Sequence, residues 1–256
     1  MGSDGTKGGH GRLGRVLSGL AVAVGCLLFL GGFGWGALVY QPYTVPTDSM
    51  APTVRPGDRV LAERIDGDAA RRGDIVVFED PGWGGGPMLK RVVGIGGDTV
   101  ACCGEDGRLT VGGRAVDEPY LSASAAGGSP DAFTAKVPEG HLFLLGDERL
   151  GSLDSRAHLA DVGRGSVPRS TVKGRLDAFA WPLRGGMIER PEGFAALPGG
   201  VSQPGPIRLI TLSIAAGAVL IVAGAAHGPL TRRLSGGERG TRGTRGGRAV
   251  SGVGRR

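Results

Sequence analysis

Charged residues are missing from two stretches of this chain and regularly spaced through the rest. Val16 to Val39 runs V-L-S-G-L-A-V-A-V-G-C-L-L-F-L-G-G-F-G-W-G-A-L-V, 24 residues without a charge. A helix needs about 20 such residues to cross the hydrocarbon of a bilayer. The pattern therefore predicts a transmembrane helix over 16–39, with Trp35 and Tyr40 at its far end, where aromatic rings favour the interface. A cleavable export signal would have a shorter core of about 7–15 residues, so an uncleaved anchor is expected. Leu209 to Ala226 is a second uncharged run, which Ile207 extends while Arg208 snorkels to the headgroups. It predicts a second span over 207–226, entered through a Gly/Pro linker from Gly199 to Pro206.

Between the spans, short apolar or period-two runs are bounded by Gly, Pro and Asp. Arg59–Ile65, Asp74–Phe78, Leu89–Ile95, Thr99–Ala101, Arg108–Val111, His141–Leu145, Thr171–Leu176 and Asp177–Trp181 read as strands. Pro56-Gly57-Asp58, Arg72-Gly73-Asp74 and Gly96-Gly97-Asp98 read as turns. No segment outside the spans carries an apolar period of 3.6. A mostly β, antiparallel domain over 41–206 is expected. From Asp117 to Pro138 the composition turns to Ser, Ala, Gly and Pro, which predicts a surface excursion between two strands.

Charge sharpens this layout. The net charge is +6, yet residues 1–15 and 227–256 hold eleven of the thirty basic residues and two of the twenty-four acidic ones. The middle is mildly acidic, which argues against nucleic-acid binding. Arg12 and Arg15 precede the first span, and Arg232 and Arg233 follow the second. Basic residues favour the cytoplasmic side. The expected order is a cytoplasmic basic tail (1–15), a span, an extracytoplasmic β domain (41–206), a span and a cytoplasmic Arg/Gly-rich tail (227–256). The last tail, a Gly/Arg/Thr repeat from Ser235, cannot build a core and suits retention or contact with anionic lipid. Cys26 falls within the first span, as a small apolar residue. Cys102 and Cys103 are adjacent in a compartment that is oxidising. They could pair with each other, pair between chains or stay reduced. No Cys-x-x-Cys spacing exists and the nearest histidine, His141, is distant in sequence, so neither a metal nor a cofactor is expected.

The chemistry centres on Ser49, in Pro46-Thr47-Asp48-Ser49-Met50-Ala51-Pro52-Thr53, ten positions after Val39. A serine nucleophile needs a base within hydrogen-bond reach. His141 opens an apolar strand and reads as structural. His158, four residues after Asp154, leaves a Ser49–His158–aspartate triad open to chemistry. Lys90 is the stronger candidate. Only Lys7, Lys90, Lys136 and Lys173 exist, and Lys90 stands among Met88, Leu89, Val92, Val93 and Ile95. Burial there would lower its pKa enough to free the amine.

These segments together resemble type I signal peptidases, the serine–lysine leader peptidase family. The Ser49 run with Arg55-Pro56-Gly57-Asp58 resembles the nucleophile box, and Arg72 to Phe78 the strand that follows it. Lys90-Arg91-Val92-Val93-Gly94-Ile95-Gly96-Gly97-Asp98 resembles the lysine box. Gly146-Asp147-Glu148-Arg149 through Ser152, Asp154, Ser155 and Arg156 resembles the last box. The resemblance covers Thr44 to Leu176 and implies a coiled antiparallel β-sheet catalytic domain behind a membrane anchor. It implies Ser49 as nucleophile and Lys90 as general base. The Ser49 N–H and the Thr47 hydroxyl would be oxyanion donors, Ser152 would orient the Lys90 amine, and Asp154 and Arg156 would brace their box. Asp147 joins that network. The implied substrates are exported preproteins cut after small residues of the Ala-x-Ala kind, with membrane lipids and the secretion translocon as partners. Asp48 departs from a position that more often holds a small residue, and Glu148 from one that commonly holds asparagine. Ala157–Ser166 is longer than the usual link to Val167-Pro168. Ala123-Ser124-Ala125 looks like a self-cleavage site, which chance explains in so Ala/Ser-rich a loop. Two other readings compete. A non-catalytic, membrane-tethered β binding or scaffold domain gives no reason for Ser49, Lys90 and Ser152. A self-cleaving repressor of the serine–lysine type needs a DNA-binding unit where the first span lies.

Overall fold

In the computed structural model, residues 9–104, 107–122, 132–183 and 186–236 are described. The chain runs α1 (Gly9–Val39), β1 (Tyr40–Thr44), β2 (Arg59–Glu63), β3 (Ile75–Phe78), β4 (Met88–Ile95) and β5 (Thr99–Cys102). It continues with β6 (Thr110–Val111), β7 (Arg114–Ala115), β8 (Phe133–Lys136), β9 (His141–Leu145), β10 (Ser166–Pro168) and β11 (Val172–Trp181), then α2 (Glu192–Ala195) and α3 (Ile207–Gly236). Contacts divide it into two compact units. One is formed by the helical segments up to Gly34 and from Ile210 onward, the other by Trp35–Leu209.

The helical unit holds two helices long and apolar enough to cross a membrane, Leu13–Val39 and Ile207–Ala226. Leu27, Leu30, Leu212 and Val219 point outward and are exposed, as lipid-facing residues would be. The helices meet at glycines. A Cβ at Gly25 would lie 2.9 Å from the Gly217 carbonyl oxygen, and one at Gly32 would lie 2.8 Å from Ile214. Ser18 Oγ donates to the Gly224 carbonyl at 2.7 Å and Ser213 Oγ to Leu28 at 3.0 Å. Small residues and interhelical hydroxyl bonds are what hold helices together where no hydrophobic effect does. The outermost residues of both expected tails, 1–8 and 237–256, lie outside the described residues, as does Ala123-Ser124-Ala125.

The second unit is mostly antiparallel β. Seven strands form a sheet in the order β1-β2-β11-β3-β4-β9-β10, and four form a smaller one, β7-β6-β5-β8. Each expected strand is present, with changes that have physical causes. The runs Thr171–Leu176 and Asp177–Trp181 are one strand, β11, whose pairing with β2 shifts register between Leu176 and Ala178. That bulge at Asp177 breaks the alternation, so the pattern reads as two strands. β1 was not anticipated because Pro42 interrupts it, and an edge strand tolerates proline. The Asp117–Pro138 segment is more than a surface excursion. Phe133–Lys136 pairs with β5, while Ala135 and Val137 are buried in the core. Cys102 and Cys103 are joined to each other at the end of β5.

Both approaches to the domain are tied down. Arg64 donates to the carbonyls of Ala37, Leu38 and Tyr40 at 2.9–3.0 Å, satisfying the last turn of α1. The Gly/Pro linker is held as well: Arg72 donates to Pro198 O at 2.6 Å, and Gly205 N donates to Asp177 Oδ2 at 2.8 Å. Among the described residues, one of three buried apolar clusters joins the two sheets, where Val93, Val100, Val137 and Phe143 pack together. Gly94 allows this approach, since a Cβ there would lie 2.5 Å from Val100 Cγ2 and 3.1 Å from Val137 Cγ2. Gly94→Ala should therefore destabilise the fold by about 1–3 kcal/mol. A lowered urea midpoint for the detergent-solubilised chain checks this; an unchanged midpoint contradicts it.

Candidate active site

Ser49 lies in the loop between β1 and β2, and the loop is closed at its base. Val45 N donates to Asp58 O and Gly57 N to Val45 O, both at 2.9 Å. Val45, Met50 and Val54 are buried in one apolar cluster with Leu89. Within the loop, Val54 N donates to Met50 O at 2.9 Å. Ser49 is thus a half-buried hydroxyl flanked by anchored neighbours, while Asp48 and Thr47 are exposed.

Lys90 stands on β4, paired with Val76 of β3. Successive side chains on a strand face opposite ways. Lys90 turns to Ser49 and Arg91 turns away from it. Lys90 is 4% exposed, and its Nζ lies 2.8 Å from Ser49 Oγ. Thr47 Oγ1 lies 3.4 Å from the same oxygen. Burial pushes the Lys90 pKa down, opposed by the negative charges of Asp154 and Asp147. Neither carboxylate touches the amine. Among the described residues Lys90 forms no ion pair, because an arginine occupies each acid.

The first of these pairs is Arg91–Asp147. Arg91 Nε donates to Asp147 Oδ1 at 2.8 Å and Nη2 to Oδ2 at 2.7 Å, with both side chains at most 1% exposed. Thr53, in the Ser49 loop, donates its hydroxyl to Asp147 Oδ2 at 2.6 Å. The second pair is Arg156–Asp154, at 2.8 Å and 2.7 Å. Asp154 also accepts Gly146 N at 3.0 Å and caps the short turn Ser155–His158 through Arg156 N. Asp154 is thus bonded to Arg156 and to the backbone at both ends of one segment.

That segment leaves β9 at Gly146 and wraps the Ser49 loop. Glu148 N donates to Ser49 O at 3.1 Å, so the contact uses backbone and Glu148's side chain is not required for it. A Cβ at Gly146 would collide with Ser152 Oγ and with the Ser49 carbonyl oxygen. The two serines therefore share the space that a missing methyl leaves. Ser152 Oγ is buried and without a hydrogen bond. The expected bond to Lys90 is not formed, since the hydroxyl packs on Gly146 while the amine reaches Ser49.

The histidines are otherwise employed. His158 Nδ1 bonds Asp161 Oδ2 at 2.7 Å, and its ring stacks on Trp83 at 4.3 Å. Asp154 is bound to Arg156, so a Ser49–His158–Asp154 relay is not assembled. His141 Nδ1 bonds the Glu139 carbonyl at 2.9 Å. Among the described residues no group of three or more His, Cys, Asp or Glu is arranged to hold a metal.

Sequence reasoning missed a cluster on the far side of Arg91. Arg91 Cζ lies 3.9 Å above the Tyr120 ring. Tyr120 donates its hydroxyl to Glu118, and Arg149 donates to both Glu118 oxygens, at 3.0 and 2.5 Å. Tyr120, Arg91 and Thr53 border a cavity of about 820 Å³. The available signal was Glu118-Pro119-Tyr120, an acid and an aromatic ring within a Ser/Ala/Gly/Pro stretch.

Comparison with known proteins bears on this geometry. Residues 16–181 match the profile of the family described as "Signal peptidase, peptidase S26". Signal peptidase I of Mycobacterium tuberculosis is 29% identical over 194 residues, which cover 56% of this chain and 66% of that protein, just under two thirds. Signal peptidase I of Bacillus licheniformis is 37% identical, covering 57% of this chain and 80% of that one. A crystal structure of a signal peptidase I from Enterococcus faecalis matches with 32% identity and a TM-score of 0.34, covering 41% of this chain and 95% of that one. The profile match spans more than half of the sequence and contains the Ser49 loop, β4 and the Gly146–Arg156 segment: the chain belongs to the signal peptidase family, peptidase S26.

Proposed function

We propose that this chain is a membrane-anchored serine endopeptidase that removes signal peptides from exported preproteins after small residues. The observation that carries the reading is the buried Lys90 amine 2.8 Å from Ser49 Oγ. A neutral amine at this position takes the Ser49 proton as Oγ attacks the scissile carbonyl carbon. The resulting ammonium returns that proton to the leaving amine, and an acyl ester remains on Ser49. Water, activated by the same amine, then hydrolyses the ester. The Ser49 N–H and the Thr47 hydroxyl receive the oxyanion. Loss of one such donor typically costs about a hundredfold or more in rate. Ser152 Oγ, unpartnered and beside Gly146, is available to the ammonium as it forms. A scaffold domain has no use for an amine buried against a hydroxyl.

Two features support a peptide substrate. β4 pairs with β3 along Met88–Arg91, but with β9 only from Arg91 onward. Among the described residues no strand pairs with the other edge of Met88–Lys90, and an extended peptide can add there. Beside that edge, Val45, Met50, Val54 and Leu89 fill the space with buried apolar side chains, which suits small substrate residues. By the charge rule, both tails face the cytoplasm and residues 41–206 lie outside, where preproteins emerge from the translocon. Anionic lipid is the expected contact of the arginine-rich tail.

Ser49→Ala and Lys90→Ala should each abolish processing of a preprotein with an Ala-x-Ala site. Undiminished processing by either would sink the mechanism. Lys90→Arg should be equally inactive, because a guanidinium stays charged.

The pH dependence follows from the sign of the Lys90 shift. The amine works when unprotonated, so kcat/KM should rise with pH along a one-proton limb. Its midpoint should lie below the ordinary lysine value of about 10.4. An activity that falls as pH rises through this range contradicts the assignment.

A further inference from the structure

A ring of side chains closes around Asp147. Starting from Tyr120, the ring face holds the Arg91 guanidinium at 3.9 Å, and Arg91 grips both Asp147 oxygens at 2.7–2.8 Å. Two residues along the backbone, Arg149 donates to both oxygens of Glu118, and Glu118 accepts the Tyr120 hydroxyl. Two spokes leave this ring for the serine. Thr53 donates to Asp147 at 2.6 Å from within the Ser49 loop. Arg149 Nε donates at 3.1 Å to the carbonyl of Gly146, the residue that packs on Ser152 and Ser49.

The bonding is more than neutralisation requires. Asp147 already satisfies Arg91, which also donates to Gly73 O at 2.7 Å. Buried ionic groups are weak sources of net stability compared with apolar packing of similar volume. What the Glu118–Tyr120 turn adds is direction: a ring face and a carboxylate that fix the planes of two guanidiniums. Each guanidinium lies one bond from a group touching the Ser49 loop. We propose that Glu118 and Tyr120 are positioning residues for Ser49, acting through Arg91, Asp147 and Thr53 on one side and through Arg149 and Gly146 on the other.

This inference rests on the reading of Ser49 and Lys90 as the reacting pair. Its effect belongs in kcat, since neither Glu118 nor Tyr120 touches the Met88–Lys90 edge proposed for the peptide. A displacement of about 1 Å at reacting atoms can cost on the order of a hundredfold. Tyr120 is half-buried and borders the 820 Å³ cavity, so shortening it opens existing space.

The experiment uses the full chain in detergent with a preprotein carrying an Ala-x-Ala site, and determines kcat and KM separately. Tyr120→Leu should lower kcat tenfold or more with KM little changed, and Tyr120→Phe, which keeps the ring, should recover most of the loss. Thr53→Val, nearly isosteric, should lower kcat in the same manner. The double variant Tyr120→Leu/Thr53→Val should be no slower than the slower single, because both interrupt one chain of contacts. An unchanged kcat, a loss carried by KM, or single losses that multiply in the double variant would overturn the inference. If Tyr120→Leu does not fold, Glu118→Gln decides: a kcat lowered tenfold or more with KM little changed is expected, and an unchanged kcat or a loss carried by KM overturns the inference. Ser49→Ala separates the levels: residual processing there refutes the serine–lysine reading, whereas an inactive Ser49→Ala beside a fully active Tyr120→Leu refutes the positioning alone.

Discussion

An amine buried beside a hydroxyl is useful only while no carboxylate claims it, and this constraint organises the second unit. Asp147 and Asp154 both lie close enough to raise the Lys90 pKa, yet each is held by its own arginine. Without Arg91 and Arg156, two acids with no exposure would act unpaired on the buried Lys90 amine and favour its protonated form. The arginines draw off the negative charge and leave burial as the larger influence on Lys90. Hydrogen-bond geometry to Ser49 Oγ is then set by the strand on one side and by the loop on the other.

The sheet supplies both parts from a single alternation. Because Lys90 and Arg91 are neighbours on β4, one points to the serine and the other to the acid that stabilises the opposite wall. The early end of pairing between β4 and β9 leaves Met88–Lys90 open just where Lys90 turns to Ser49. Gly146 sits where β9 stops and admits Ser152 and the Ser49 carbonyl into the space of one methyl group. The Ser49–Lys90 contact, the open edge and their support are consequences of where three strands begin and end.

How much of this is legible in the sequence follows from how local each feature is. Ser49, Lys90 and the Gly146–Arg156 segment carry their signals in contiguous runs, and Asp154–Arg156 is a contact between residues two apart. Their family is therefore recognisable, and the apolar spans are recognisable from length alone. Arg91–Asp147 joins residues 56 positions apart, and Glu118–Arg149 joins residues 31 apart. Nothing local marks such pairings. Tyr120 was hidden by the small-residue stretch around it, and β11 was split by the bulge at Asp177. Ser152 shows the reverse case: the resemblance implied a bond to Lys90, whereas its hydroxyl packs against Gly146 without a hydrogen-bond partner among the described residues.

The most direct test of the central claim is a titration of Lys90 itself. The sequence has four lysines, so ¹³Cε labelling of the detergent-solubilised protein gives few resonances, and Lys90→Arg assigns the one that disappears. The account predicts that this resonance titrates below the ordinary lysine range of about 10.4. It also predicts that the midpoint matches the limb of kcat/KM. A Lys90 resonance that titrates at or above that range would contradict it, because the amine would then be a charged structural group rather than the base for Ser49.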